Sequence, residues 1–63
     1  MISKITAIYT RHYSDNNQTT TYVEWRDAAG KSGRTEGSAD NAHMQALLSR
    51  AAREGVQHEY QNW

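Results

Sequence analysis

The chain has no cysteine, no proline and no phenylalanine, and its formal net charge is zero. Each absence excludes something. Without Cys there are neither disulfides nor thiolate metal sites. Without Pro there is no N-terminal proline base of the kind small tautomerases use. Seven basic residues balance seven acidic ones, which removes the usual electrostatic drive toward nucleic acid or an anionic membrane. No apolar run approaches the ~20 residues of a membrane-spanning helix. The first residues carry one Lys and no extended apolar block, so no signal peptide is expected and the cytoplasm is the expected location.

Aliphatic side chains are also scarce. Ile2, Ile5, Ile8, Val23, Leu47, Leu48 and Val56 are the whole supply of Ile, Leu and Val in 63 residues. That is well under the roughly 20% below which disorder becomes common. Disorder normally also needs strong net charge, which is missing here. Four Tyr, two Trp and two Met add apolar area. A single folded domain over residues 1–63 is expected, with a thin core. A domain of about this size buries only ~60% of the surface its unfolded chain exposes. Disulfides are excluded, and no His cluster stands at metal-ligand spacing. Self-association, or burial against a partner, is then the expected support.

What is present reads as strands followed by a helix. Ile2–Tyr13, rich in Ile, Thr and Tyr, suits a pleated strand. Its odd positions Ile5, Ala7, Tyr9 and Tyr13 form the more apolar face, interrupted by Arg11, while Ile2 and Ile8 lie among the even, polar positions. Ser14–Gln18 is a cluster of turn formers. Thr19–Asp27 is a second strand, with Val23 and Trp25 on the odd face and Tyr22, Glu24 and Arg26 on the even face.

Gly30-Lys31-Ser32 has the ending of a phosphate-binding loop. Such a loop needs a further Gly five positions earlier, so that backbone amides can wrap the phosphates. That position is Trp25. The stretch is therefore a turn, with Asp27 at its start and Gly30 in a left-handed conformation. The turn sets a register in which Trp25 faces Gly33, Val23 faces Thr35, Glu24 faces Arg34 and Tyr22 faces Glu36. A short polar third strand, Lys31–Glu36, suits a sheet edge.

Ser38 is the expected N-cap, and Asp40 is placed in the first turn of a helix. Met44, Leu47, Leu48 and Ala51 recur at helical spacing, and Gly55 closes the segment. Val56–Trp63 alternates and forms a fourth strand or an extended arm. The expected fold is α+β: an antiparallel three-stranded sheet (β-β-β), with one C-terminal helix packed on its odd face.

No catalytic, cofactor or metal-ligating set emerges. His12, His43 and His58 are scattered. Asp40 and His43 are helix neighbours and read as a surface pair at the helix start. The aromatic residues all carry polar handles, which suits binding surfaces as well as half-wet cores. The expected partner-binding residues are Ile8, Tyr22, Arg26 and Arg34 on the uncovered sheet face, with Tyr60 and Trp63 on the tail.

The order strand, Asp27-x-x-Gly30-Lys31, strand, helix over Thr19–Gly55 resembles in layout the three-stranded-sheet-plus-helix DNA-binding domains, such as the arm-binding domains of tyrosine integrases. The helix-on-sheet arrangement is also similar to the double-stranded-RNA-binding domain. These resemblances imply nucleic-acid binding by the sheet face. The sequence departs from both patterns. Glu24 and Glu36 stand among the Arg residues, Gly37 occupies the approach to the helix, and Ser38–His43 holds no lysine cluster. The leading expectation is a non-enzymatic module acting by protein–protein contact, with itself or a larger partner. It would serve as an accessory or inhibitory factor of the kind found in phages and mobile elements. Nucleic-acid binding through the same sheet face is the alternative.

Overall fold

A computed structural model describes Met1–Trp63 as β1(Ile2–Tyr13), β2(Gln18–Asp27), β3(Ser32–Gly37), α1(Ala42–Arg53) and β4(His58–Asn62). The sheet order is β3-β2-β1-β4. β1 pairs antiparallel with β2 and parallel with β4, and β2 pairs antiparallel with β3. The architecture is a small α+β fold with one helix and a four-stranded mixed sheet. The antiparallel three-stranded expectation is thus extended by a fourth strand. The tail's direction follows from its connection. A helix that crosses back over the sheet returns the chain pointing as β1 points, so the strand it feeds is parallel.

The β2–β3 turn matches the sequence reading. The Asp27 carboxylate accepts the Ala29 and Lys31 amides at 2.9 Å each, and Gly30 has φ 86°. The register follows from that turn: Trp25 faces Gly33, Val23 faces Thr35, Glu24 faces Arg34 and Tyr22 faces Glu36. The helix begins later than expected. Asn41, not Ser38, is the N-cap, with its side-chain oxygen accepting from the His43 and Met44 amides. Ser38 instead caps its own turn, accepting the Asp40 amide at 3.2 Å, so Asp40 precedes the helix. Gly55, at φ 77°, ends the element as expected, and the Val56 amide returns to the Ala51 carbonyl.

β1 departs most from the sequence reading. Its pairing with β2 shifts register between Ile2 and Lys4 and again between Ile5 and Ala7. Each bulge inserts one unpaired residue and reverses the alternation. Ile5 pairs with Trp25 and Ile8 with Val23, so Ile5 and Ile8 share the helix side despite opposite parity. The core is Ile5, Ile8, Val23, Met44, Leu47 and Ala51, with Ile2, Trp25, Leu48 and Val56 packed around it. Ala7 and Tyr9, expected under the helix, lie on the opposite face, paired with Glu24 and Tyr22.

β4 covers only the second half of β1, from Ile8 to His12. The edge of the first half is closed by side chains instead. Glu54 accepts the Ile5 amide at 3.0 Å, and Arg50 donates to the Ser3 carbonyl at 2.9 Å. Arg50 and Glu54 also pair with each other at 2.7 Å. One helical ion pair thus supplies the donor and acceptor that a longer β4 would have offered, which blunts an otherwise open edge.

Candidate functional site: the aromatic and guanidinium face

The sheet face opposite α1 is not bare. Tyr9 and Tyr22 stand opposite each other on β1 and β2, with ring centroids 5.1 Å apart and planes at 21°. Both are buried, although no helix covers them. Two arginines provide the cover. The Arg11 guanidinium lies 4.9 Å from the Tyr9 ring centroid, 5.3 Å from Tyr22 and 4.3 Å from Trp63. Arg34, on β3, lies 4.9 Å from the Tyr22 ring. A cation over the negative face of an aromatic ring is attracted by its quadrupole, by about 0.5–1 kcal/mol at an exposed site.

Hydrogen bonds fix the rings in turn. The Tyr9 hydroxyl donates to the Glu24 carboxylate at 2.7 Å. The Tyr13 and Tyr22 hydroxyls meet at 2.7 Å. Arg11 Nε donates to Gln61 Oε1 at 2.8 Å, and Trp63 Nε1 donates to the same oxygen at 3.2 Å. β4 is therefore needed to complete the face, because it carries Gln61 and aims Trp63. Parallel pairing of Arg11 with Gln61 makes this possible.

The hydroxyl pair divides its titration. The Tyr22 hydroxyl and then the Arg11 guanidinium stabilise the Tyr13 phenolate, holding that phenol below its ordinary 10.0. Tyr22 is held above 10.0, first because its hydroxyl bonds to Tyr13 and then by burial. Glu24 faces Arg34 across the strands as the sequence implied, but its carboxylate is bound by Tyr9, and the guanidinium turns onto the Tyr22 ring.

The residues singled out from the sequence scatter over the fold. Ile8 is a correction: it is 3% exposed, on the helix side, and belongs to the core. The register shift between Ile5 and Ala7 put it there, so it is no part of an open surface. Tyr22 is on the open face but only 6% exposed, beneath the two guanidiniums. Arg34 lies over it. Arg26 is exposed on the same face, paired with Lys4 at the other end of β2. Trp63 joins the cluster through Arg11. Tyr60 lies on the other side of β4, stacked on His58 with centroids 4.5 Å apart. Sequence reasoning missed Tyr9, Arg11, Tyr13 and Gln61 as members of one cluster. The available signal was the presence of Ile at both parities in β1, which only a bulge can place in one core.

The helix side carries a second polar arrangement beyond the end of α1. Thr10 Oγ1 lies 2.9 Å from Thr21 Oγ1 and 2.6 Å from His58 Nε2, and His12 Nδ1 lies 2.9 Å from Thr19 Oγ1. This ladder ties β4 and β2 to β1 through side chains. No cavity opens beside it, and no group of three or more His, Asp or Glu side chains gathers there or elsewhere. No helix is long and apolar enough to cross a membrane.

Comparison of the chain with family models, with curated proteins and with solved structures finds no match.

Proposed function

We propose that this chain is a non-enzymatic binding module that acts by protein–protein contact, as an accessory or inhibitory factor for a larger partner. The contact surface is the face built from Tyr9, Arg11, Tyr13, Tyr22, Arg34 and Trp63. One observation carries the reading: two guanidiniums lie within 4.3–5.3 Å of the centroids of aromatic rings, and the Tyr13 and Tyr22 hydroxyls are joined by a hydrogen bond. Tyr, Trp and Arg dominate the energetics of protein interfaces. Long arginine side chains held in place before binding lose less entropy on docking. Trp63, 61% exposed, is the large apolar anchor at the rim.

The test is capture of partners from native lysate by the tagged protein, with and without nuclease, repeated with Arg34→Ala and Trp63→Ala. The expected result is a protein complex that resists nuclease, tolerates added salt and is lost in both variants while their circular dichroism stays unchanged. A complex that survives both substitutions would sink the proposal.

Nucleic-acid binding is the second reading. Lys4, Arg11, Arg26 and Arg34 share the open face by register, which favours it. Glu24, Glu36 and Glu59 share the same face and oppose it. This reading expects binding that falls steeply with salt, with a slope of roughly 0.7–0.9 per phosphate contacted.

A further inference from the structure

The geometry points to a second copy of this chain as the occupant of the β4 edge, joined antiparallel about a two-fold axis through Tyr60, so that two sheets become one. The inference goes beyond the aromatic contact face: it uses a different surface, and either idea can fail without the other.

The first observation concerns backbone direction. The Trp63 amide donates to the His12 carbonyl at 2.8 Å, and the Trp63 carbonyl accepts from the Ser14 amide at 2.9 Å. Both Trp63 groups therefore point into the sheet. Backbone groups alternate sides along a strand, so Gln61 and Glu59 also point inward. His58, Tyr60 and Asn62 then present their N–H and C=O groups outward, where β4 is the last strand. An antiparallel two-fold centred on an outward-facing residue makes a hydrogen-bonded pair of that residue with itself. Tyr60 is such a residue. The same axis pairs His58 with Asn62 of the second copy, and these are outward-facing too. Every outward amide and carbonyl of β4 acquires a partner in this one register.

The second observation is charge. Glu59 is the only acidic residue of β4, and β4 has no Lys or Arg. The Tyr60-centred register sets Glu59 opposite Gln61 of the second copy, so no like charges face each other. Cross-strand like charges are what usually protect an edge from its own copy, and here they are absent. A two-fold centred on Glu59 would instead put carboxylate against carboxylate.

The third observation is exposed apolar area. Tyr60 is 76% exposed, and with Trp63 it carries the large exposed aromatic surface of the chain. The opposite sheet edge, β3, holds no large apolar side chain. Tyr60 already stacks on His58. In the paired sheet the two Tyr60 rings meet across the axis, giving a row of four rings, His58, Tyr60 and their symmetry mates. An isologous contact of this kind closes at two copies.

The test is sedimentation equilibrium of three forms: the wild-type chain, Tyr60→Lys, and a chemically synthesised chain with the Tyr60 amide nitrogen methylated. Methylation removes only an outward donor and leaves the β1–β4 ladder intact. The wild type is expected to sediment as a dimer, and both altered forms to dissociate at least tenfold more readily with unchanged circular dichroism. Arg34→Ala is expected to leave the dimer intact, which separates this surface from the aromatic face. A wild-type chain that stays monomeric up to millimolar concentration overturns the inference. So does a methylated chain that dimerises as tightly as the wild type, or an open-ended series of larger species. If Tyr60→Lys fails to fold, the methylated chain alone decides.

Discussion

Gly33→Ala is the most informative single substitution. The Trp25 ring lies directly on the Gly33 backbone. A methyl group there would sit 2.4 Å from Trp25 Cη2 and Cζ2 and 2.9 Å from Cε2. Carbon atoms settle at about 3.5–4.0 Å. The ring must therefore move by at least ~1 Å, measured against that contact distance. Trp25 Nε1 donates to Thr35 Oγ1 at 3.0 Å, and a displacement of that size carries the pair past hydrogen-bonding distance. The bond contributes about 0.5–1.5 kcal/mol. Trp25 also packs against the core cluster. Partial re-exposure of the indole costs a further ~1–2 kcal/mol at about 25 cal/mol per Å² of apolar surface. Alanine in a strand recovers about 0.5–1 kcal/mol relative to glycine. The balance is a loss of about 0.5–3 kcal/mol, equivalent to a fall in Tm of roughly 4–8 °C per kcal/mol for a domain of this size. Urea unfolding of Gly33→Ala, Trp25→Ala and the double variant measures it. In the Trp25→Ala background the glycine substitution is expected to be neutral or stabilising, with a coupling energy of about 1–3 kcal/mol between the two sites. If Gly33→Ala stabilises the intact protein, or the two changes simply add, then Trp25 does not depend on the bare backbone of Gly33.

Glu54 is held below its ordinary 4.5, first by the Ile5 amide and then by Arg50. Its contribution to stability is therefore present above 4.5 and is lost as pH falls through the lower folded-state value. Glu54→Gln is expected to flatten the acid side of the stability–pH curve measured by urea unfolding; an unchanged acid limb would show that the β1 edge does not need this carboxylate. Asn41→Ala should cost about 1 kcal/mol through loss of the N-cap, whereas Ser38→Ala should cost clearly less; the reverse order in thermal melts would return the cap to Ser38. Tyr22→Phe removes the hydroxyl that holds Tyr13 below 10.0, so the Tyr13 phenol should titrate later in a phenolate absorbance titration. An unmoved titration would mean that Arg11 alone sets it.

Much of the fold is legible in local chemistry, and the particular residues show why. Asp27 and Gly30 specify a turn through an Asx side chain and a left-handed backbone, both of them properties of single residues. From that turn the whole β2–β3 register follows by counting. Met44, Leu47 and Ala51 recur at a period that only a helix can bury. The N-cap is a harder decision, because Ser38 and Asn41 both suit it locally and only the packing of Met44 against the sheet selects the later one. The direction of β4 is not a local property at all. Nothing in His58–Asn62 says whether it pairs with β1 or β3, or which way it runs; the crossover helix sets the direction, and the choice of β1 belongs to the assembled sheet.

The candidate site was hidden for a related reason. A strand's faces are assigned by parity, and parity is a running count that a single extra residue reverses. In β1 the bulge between Ile5 and Ala7 does this, and the consequence is not confined to Ile8. It moves Tyr9, Arg11 and Tyr13 together to the open face, which is where Tyr22 and Arg34 already stood from the undisturbed β2–β3 register. One inserted residue thus assembles the guanidinium–aromatic cluster and at the same time supplies the core with Ile8. Without the bulge, Tyr9 would turn to the helix side opposite Thr21, and Ile8 would lie on the open face opposite Tyr22. The chain has too few aliphatic residues to leave one outside. Placing both Ile5 and Ile8 on the helix side satisfies that shortage, and an aromatic face capped by arginines is its geometric consequence.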